Sequence, residues 1–209
     1  MGHGGRYVET VSPEVETRRR AVVDLPWTWL RQVHGDRVVQ VRAPGEWWGE
    51  RADAAVTTVP GCAIAVFSAD CAPVVLGSPE GVVAVVHAGW RGLRAGVLER
   101  AVESMRSLGA STVAAHLGPC IHAECYEFGA DDLDSVAARL GDSVRATTTT
   151  GAPALDVPAA VRSALAAVGV GSAHVDDVDV CTACSPDHFS WRARREMGRQ
   201  AAVAWTDVP

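Results

Sequence analysis

The sequence predicts an α/β fold, and three observations carry that expectation. Short β-rich runs crowd the first half of the chain, an amphipathic helix follows a buried strand across a glycine-containing turn, and helical and strand-like stretches then alternate to the C-terminus.

Residues 37–42 (Arg-Val-Val-Gln-Val-Arg) alternate as a strand does, and 54–58, 62–67 and 73–77 are short β-rich runs. Residues 82–87 (Val-Val-Ala-Val-Val-His) are apolar without alternation, the pattern of a strand buried on both faces. Leu93, Val97, Leu98, Ala101 and Met105 then recur at helical spacing and Gly109 supplies a stop, which predicts an amphipathic helix over 93–108. A strand returns over 112–117. Helices are predicted over 131–140 and 157–168, the second with Asp156 as its cap, Pro158 in its first turn and Gly169 at its end. Residues 174–180 and 198–205 read as closing strands. The Thr-, Gly- and Ala-rich stretch 143–153 reads as a surface connection, and with no internal repeat one domain over 1–209 is expected.

Composition bounds the function. With 209 residues and 48% hydrophobic content the chain can bury a sizeable core. A net charge of −6 offers no basic field for nucleic acid or anionic membranes, so neither is expected as a partner. The sequence contains no lysine, which removes Schiff-base chemistry and the lysine-dependent phosphate loop. The longest apolar stretches, 61–67 and 81–86, fall far short of the ~20 residues of a membrane span, and no leader pattern opens the chain. A cytoplasmic protein, monomeric or a small homo-oligomer, is expected. There the six cysteines are reduced thiols, metal ligands or nucleophiles rather than disulfides.

The chemistry lies at strand ends. His34 sits in Gln-Val-His-Gly after an apolar Trp-Thr-Trp-Leu run, Cys71 in Ser-Ala-Asp-Cys-Ala-Pro, and His87 ends the buried strand in His-Ala-Gly-Trp-Arg-Gly. Imidazole and thiolate suit zinc, and three protein ligands with a fourth position open is the catalytic pattern, whereas four-ligand sites are structural. The competing reading of each residue is a satisfied core side chain at a strand end.

Together, Gln32-Val-His-Gly35, Ala69-Asp-Cys-Ala-Pro73, His87-Ala-Gly-Trp-Arg-Gly92, Gly118-Pro-Cys-Ile121 with Tyr126-Glu-Phe-Gly129, Cys181-Thr182 and Phe189-Ser-Trp-Arg192 followed by Gly198-Arg-Gln resemble, in order, the laccase-domain (YfiH-like) family. That resemblance implies a four-layer α/β/β/α sandwich and a metal site whose ligands fall on His34, Cys71 and His87. Members are described as multicopper polyphenol oxidases, as purine nucleoside phosphorylases with adenosine deaminase and methylthioadenosine phosphorylase activity, or as peptidoglycan-editing factors. The implied cofactor is zinc, with copper possible at the same site, and the implied substrates are a purine nucleoside and phosphate. Two departures stand out. The usual Gly-Gly-Val-Ser start is reduced to Gly4-Gly5, and the usual Ser-Tyr-Arg-Arg appears as Ser190-Trp-Arg-Ala-Arg, so that Arg192 matches and the next arginine is displaced to Arg194.

Each chemistry makes its own demands. Phosphorolysis needs an anion-binding group, for which Arg91 is the first candidate and Arg192 the next, each weighed against a surface salt bridge. Deamination needs a carboxylate to shuttle protons, and Asp70, adjacent to Cys71, is placed for that role or for orienting a ligand. Cys120, after Gly118-Pro119, is a further catalytic candidate weighed against an inert buried thiol. A true multicopper oxidase ligates several copper ions with about ten histidines in His-x-His pairs; this chain has seven histidines and no such pair. His122-Ala-Glu124 and Cys181-Thr-Ala-Cys184 imitate the halves of the zinc nucleobase-deaminase signature. Their spacing is too long and no proline precedes Cys181. Of that second pair, one cysteine is expected to pack and the other to line the pocket. A zinc enzyme of purine nucleosides, a hydrolase of cell-wall precursors and a binding module with a closed structural metal site are the readings in play.

Overall fold

The structure, a computed structural model, describes residues 12–207. In chain order its elements are α1 (Pro13–Val22), β1 (Trp27–Trp29), β2 (Val38–Val41), β3 (Ala54–Thr57), β4 (Ala63–Ser68), β5 (Ala72–Gly77), β6 (Val83–Ala88), α2 (Trp90–Ala95), α3 (Val97–Ser107), β7 (Ala114–Leu117), α4 (Ala130–Leu140), β8 (Arg145–Thr147), β9 (Pro153–Leu155), α5 (Val157–Ala167), β10 (Val175–Asp177), α6 (Trp191–Arg194) and β11 (Gln200–Ala204). A six-stranded mixed sheet has the order β10-β7-β5-β6-β3-β2, a three-stranded sheet the order β1-β4-β11, and β8 and β9 form a separate hairpin.

Side-chain alternation explains the layering. On β6, Ala84 and Val86 face the core shared with the helices, while Val85 faces the core between the two sheets. The central strand is thus buried on both sides, as its unbroken apolar run requires. Val97, Leu98, Ala101, Val102 and Met105 present one stripe of α3 to that sheet, all fully buried; truncating such a side chain to alanine costs about 2–5 kcal/mol. On β4, Ile64 and Val66 point inward against Val39, Val41 and Val85, and Ala63 and Ala65 point outward beneath Trp27. The outermost layer is thin. It consists of α1, capped by Ser12, whose Arg19 guanidinium lies 5.6 and 5.7 Å from the ring centroids of Trp27 and Trp29.

Several elements differ from the sequence reading. The helix expected over 93–108 begins at Trp90 and is divided at Gly96, whose φ of +94° ends α2 and starts α3; glycine adopts that left-handed conformation without steric cost. The connection expected over 143–153 contains the β8–β9 hairpin. Strand β10 is confined to three residues, because 172–174 form a 3-10 turn and Asp179 adopts φ +51°. Neither α1 nor β1 has a counterpart in the sequence reading. Gly4 and Gly5 lie outside the described residues. Among the described residues no helix is long and apolar enough to cross a membrane.

Candidate metal centre

The β-sheet register brings the three expected ligands to one level. β5 and β6 pair antiparallel with Ala72 opposite Ala88 and Pro73 opposite His87, so Cys71 leaves the strand beside His87. β3 pairs with the other edge of β6, and the backbone amide of His87 donates to the Asp53 carbonyl at 2.7 Å. His34 reaches the same point from the turn before β2. Candidate ligand atoms of His34, Cys71 and His87 all lie within 4.8 Å of one another, with Cys71 Sγ 3.8 Å from His34 Nε2. The two imidazoles meet edge to face at 4.8 Å between centroids. His87 is buried, Cys71 half-buried and His34 exposed, so the cluster is closed from behind and open in front.

The turn carrying His34 is held from within the sheet. The Asp53 carboxylate accepts from the backbone amides of Val33, His34 and Gly35 at 2.8–3.1 Å and from Nδ1 of His87 at 2.8 Å. Those bonds fix His34 at φ +58°, a conformation that costs a non-glycine residue of order 1–3 kcal/mol unless its surroundings enforce it. They also commit Nδ1 of His87 as a donor, leaving Nε2 for the cluster. Close backbone approach completes the packing: a Cβ on Gly89 would lie 2.7 Å from His34 Cδ2 and 3.2 Å from Cys71 Sγ, and one on Gly92 would lie 2.9 Å from the Gly35 carbonyl oxygen. The two glycines of His-Ala-Gly-Trp-Arg-Gly are therefore required by the site. Sequence reasoning missed Asp53. Its one signal is a carboxylate inside the apolar run 52–56, where an unpaired charge cannot be buried.

The charges of the cluster are coupled to one another. Burial would push the Cys71 thiol up, but hydrogen bonds and charge from His34 and His87 outweigh it and bring it down to about 6. Burial would lower His87, yet its bonds to Asp53 and Cys71 raise it to about 9. Asp53 is held below the usual carboxylate range, since the bonds from His87, Gly35 and Val33 override its desolvation. At neutral pH the pair is thus thiolate and imidazolium. Zinc fits these donors: a ready thiolate, an imidazole oriented by a carboxylate, and a second imidazole on the open side.

In front lies a cleft of about 590 Å³, walled by Leu30, Gln32, Phe67, Ser68, Tyr126, Trp191, Arg192, Met197 and Arg199 as well as the cluster. Gln32 is clamped by paired bonds with the Phe67 backbone, at 2.6 and 2.7 Å. Arg192 lies 4.7 Å from the Tyr126 ring centroid and donates to the Glu127 carbonyl at 3.2 Å. Burial and the neighbouring Cys71 charge push the Tyr126 phenol up to about 12, so it stays a neutral donor. The Ser68 hydroxyl is buried and has no protein partner.

The three residues expected to be catalytic take the following places. Asp70, at φ +95°, does not offer a free carboxylate: it accepts from Thr182 Oγ1 at 2.8 Å, Ser190 Oγ at 2.7 Å and the Arg192 amide at 2.6 Å. The last of these bonds ties the Arg192 backbone to it. Arg91 is exposed, its guanidinium 4.3 Å from the Trp90 ring centroid, and does not line the cleft. Cys120 packs in the core, away from the cleft, and burial raises its thiol. Nor does either cysteine of Cys181-Thr-Ala-Cys184 line the cleft: Cys181 is buried and Cys184 exposed.

Comparison with known proteins finds matches over most of the chain. Residues 5–207 match the family model described as multi-copper polyphenol oxidoreductase laccase. A purine nucleoside phosphorylase of Streptomyces griseus is 43% identical over 187 residues, 86% of this chain and 74% of that protein. Another, from Streptomyces coelicolor, is 40% identical over 205 residues, 95% of this chain and 82% of that protein. Among solved structures, the hypothetical protein YfiH of Bacillus licheniformis superposes with a TM-score of 0.85 at 25% identity, over 97% of this chain and 85% of that one. YlmD from Geobacillus stearothermophilus gives 0.83 at 28% identity, over 98% and 84%.

Proposed function

The chain belongs to the multi-copper polyphenol oxidoreductase laccase family, and from that premise we propose that it is a zinc-dependent purine nucleoside phosphorylase acting on adenosine, inosine, guanosine and S-methyl-5'-thioadenosine. The observation that carries this reading is the cleft itself, with two imidazoles and a thiolate on its floor, Arg192 and Arg199 in its wall, and the aromatic faces of Phe67, Tyr126 and Trp191 around them. Its volume of about 590 Å³ is in the range that encloses a small-molecule ligand.

In phosphorolysis a phosphate oxygen bonds to the anomeric carbon as the bond from that carbon to the purine nitrogen breaks, the electron pair leaving with the base. Arg192 and Arg199 supply fixed positive charge for the phosphate, and Asp70 holds the Arg192 backbone in place for it. The aromatic faces receive the base, and the unpartnered Ser68 hydroxyl offers a hydrogen bond to a polar substrate atom. A zinc ion held by His34, Cys71 and His87 would supply Lewis acidity towards a substrate oxygen or nitrogen. Adenosine deaminase activity would need a further group to move protons. Among the described residues Asp70 is the only acidic one lining the cleft, and its carboxylate already receives three donors.

The donor set does not support a multicopper oxidase. Among the described residues two clusters of metal-ligating side chains occur, and neither holds more than two histidines. Copper at the same three-ligand site would be a single ion.

The test is chromatography of products from adenosine, inosine and methylthioadenosine with and without phosphate, on wild type and Cys71→Ser. Phosphate-dependent free base and ribose 1-phosphate, lost in the variant, are expected. Nucleosides left intact by metal-loaded protein, or cleavage of a muropeptide precursor in their place, would overturn the proposal.

A further inference from the structure

A second group of ligating side chains lies outside the cleft. Candidate donor atoms of Glu124, Cys125, Cys181 and Cys184 are all within 4.8 Å of one another, with Cys125 Sγ 3.3 Å from Cys184 Sγ and Cys184 Sγ 3.9 Å from Glu124 Oε1. It shares no residue with the His34, Cys71 and His87 cluster. We propose that these four residues form a closed, structural zinc site that fastens the loop around 122–126 to the turn 181–185.

Geometry favours a metal over the alternatives. Four donors around a tetrahedral ion with Zn–S near 2.3 Å and Zn–O near 2.1 Å stand ~3.5–3.8 Å apart, a range bracketed by the Cys125–Cys184 and Cys184–Glu124 spacings of 3.3 and 3.9 Å. Two ligands come from each segment: adjacent Glu124 and Cys125 around a 3-10 turn, and a Cys-x-x-Cys turn. The scaffold is fixed before any metal arrives. Cys120 and Cys181 form a parallel bridge, with the Thr182 amide donating to the Cys120 carbonyl at 3.0 Å and the Cys120 amide to the Val180 carbonyl at 3.2 Å.

Hydrogen-bond donors also converge on this group. The backbone amide of His122 points at Cys181 Sγ from 3.4 Å, and those of Ala183 and Cys184 face the same sulfur. The Arg194 guanidinium donates to the carbonyls of Thr182, Ala183 and His188, setting a positive charge against the turn. That accounts for the displaced arginine of the Ser190-Trp-Arg-Ala-Arg segment. A Cys125–Cys184 disulfide would account for two of the four donors and leave the convergence of Cys181 and Glu124 on the same point unexplained.

The test separates the two clusters. Protein purified under reducing conditions in the His34→Ala, Cys71→Ser background is titrated with zinc, and bound metal is counted by elemental analysis. One equivalent should remain in that background, and it should be lost when Cys125→Ser and Cys184→Ser are added. Cobalt in the same background should give tetrahedral visible bands with thiolate charge transfer. Glu124→Gln, a substitution at a half-buried loop residue, keeps the test independent of whether the cysteine variants fold: it should weaken zinc at least about tenfold against a chelator. Absence of bound metal in the first background, unchanged affinity in Glu124→Gln, or a Cys125–Cys184 disulfide found by thiol counting in reduced-purified protein would each overturn the site.

Discussion

Asp53 accepts a 2.8 Å hydrogen bond from Nδ1 of His87 while the same carboxylate gathers the amides of Val33, His34 and Gly35. One buried anion therefore orients one imidazole directly and the other through its backbone. Asp53→Asn removes the charge and places an amide NH2 against donors on every side. The expected result is a ~10–100-fold weaker affinity for zinc at the three-ligand cluster, the usual scale for losing an orienting carboxylate. Chelator competition measures it, and unchanged affinity would remove Asp53 from the design.

The charge state of Cys71 gives a direct pH signature. Its thiol lies at about 6 in the folded, metal-free protein, below the usual ~8.5 for a free cysteine. Above about 6 it is a thiolate and reactive; below, a thiol and slow. Iodoacetamide modification followed by peptide mapping should thus show the Cys71 rate rising through about pH 6 and level by pH 8, with zinc protecting it. Cys120, raised by burial, stays unmodified over that range. A Cys71 midpoint near 8.5 would contradict the pairing with His34 and His87.

The contrast between Cys71 and Asp53 shows what the sequence makes legible. His34, Cys71 and His87 are chemically distinctive residues in short distinctive strings, so their convergence can be anticipated. Asp53 sits in Ala-Asp-Ala-Ala-Val, and only the register of β3 against β6 gives it a partner. Strands β3 to β6 were readable because both faces are buried and the apolar runs are unbroken. The β8–β9 hairpin was not, since threonine, glycine and alanine carry little periodicity. The places of Asp70 and Arg91 were hidden for a related reason: nearness to a ligand in sequence says nothing of where a side chain turns. The same limit hid the Cys125, Cys181 and Cys184 group, whose members lie 59 residues apart across the Cys125–Cys184 pair.

Gly89→Ala tests the close packing behind the cluster. A methyl group there would stand 2.7 Å from the His34 ring and 3.2 Å from Cys71 Sγ. Gly89 has φ −73°, so alanine is tolerated by the backbone itself and the effect is confined to what the methyl touches. The variant should fold, with a far-ultraviolet spectrum like wild type, yet bind zinc at the three-ligand cluster at least about tenfold more weakly. Wild-type affinity would show that the ring and thiol move aside freely.

Arg91 and Arg192 provide the last contrast, because the sequence ranks Arg91 first and Arg192 next as anion ligands, whereas in space only Arg192 lines the cleft. Arg192 lines the cleft, resting against Tyr126 with its backbone amide on Asp70, whereas Arg91 lies over Trp90 outside it. A charge-assisted hydrogen bond contributes about 1.5–3 kcal/mol. Arg192→Ala should accordingly raise the KM for phosphate by roughly 10–100-fold. Arg91→Ala should leave it within about twofold, the ordinary scatter of a surface substitution. Initial rates against phosphate at saturating inosine distinguish them. Equal effects of the two substitutions would mean that the anion sits elsewhere than in this cleft.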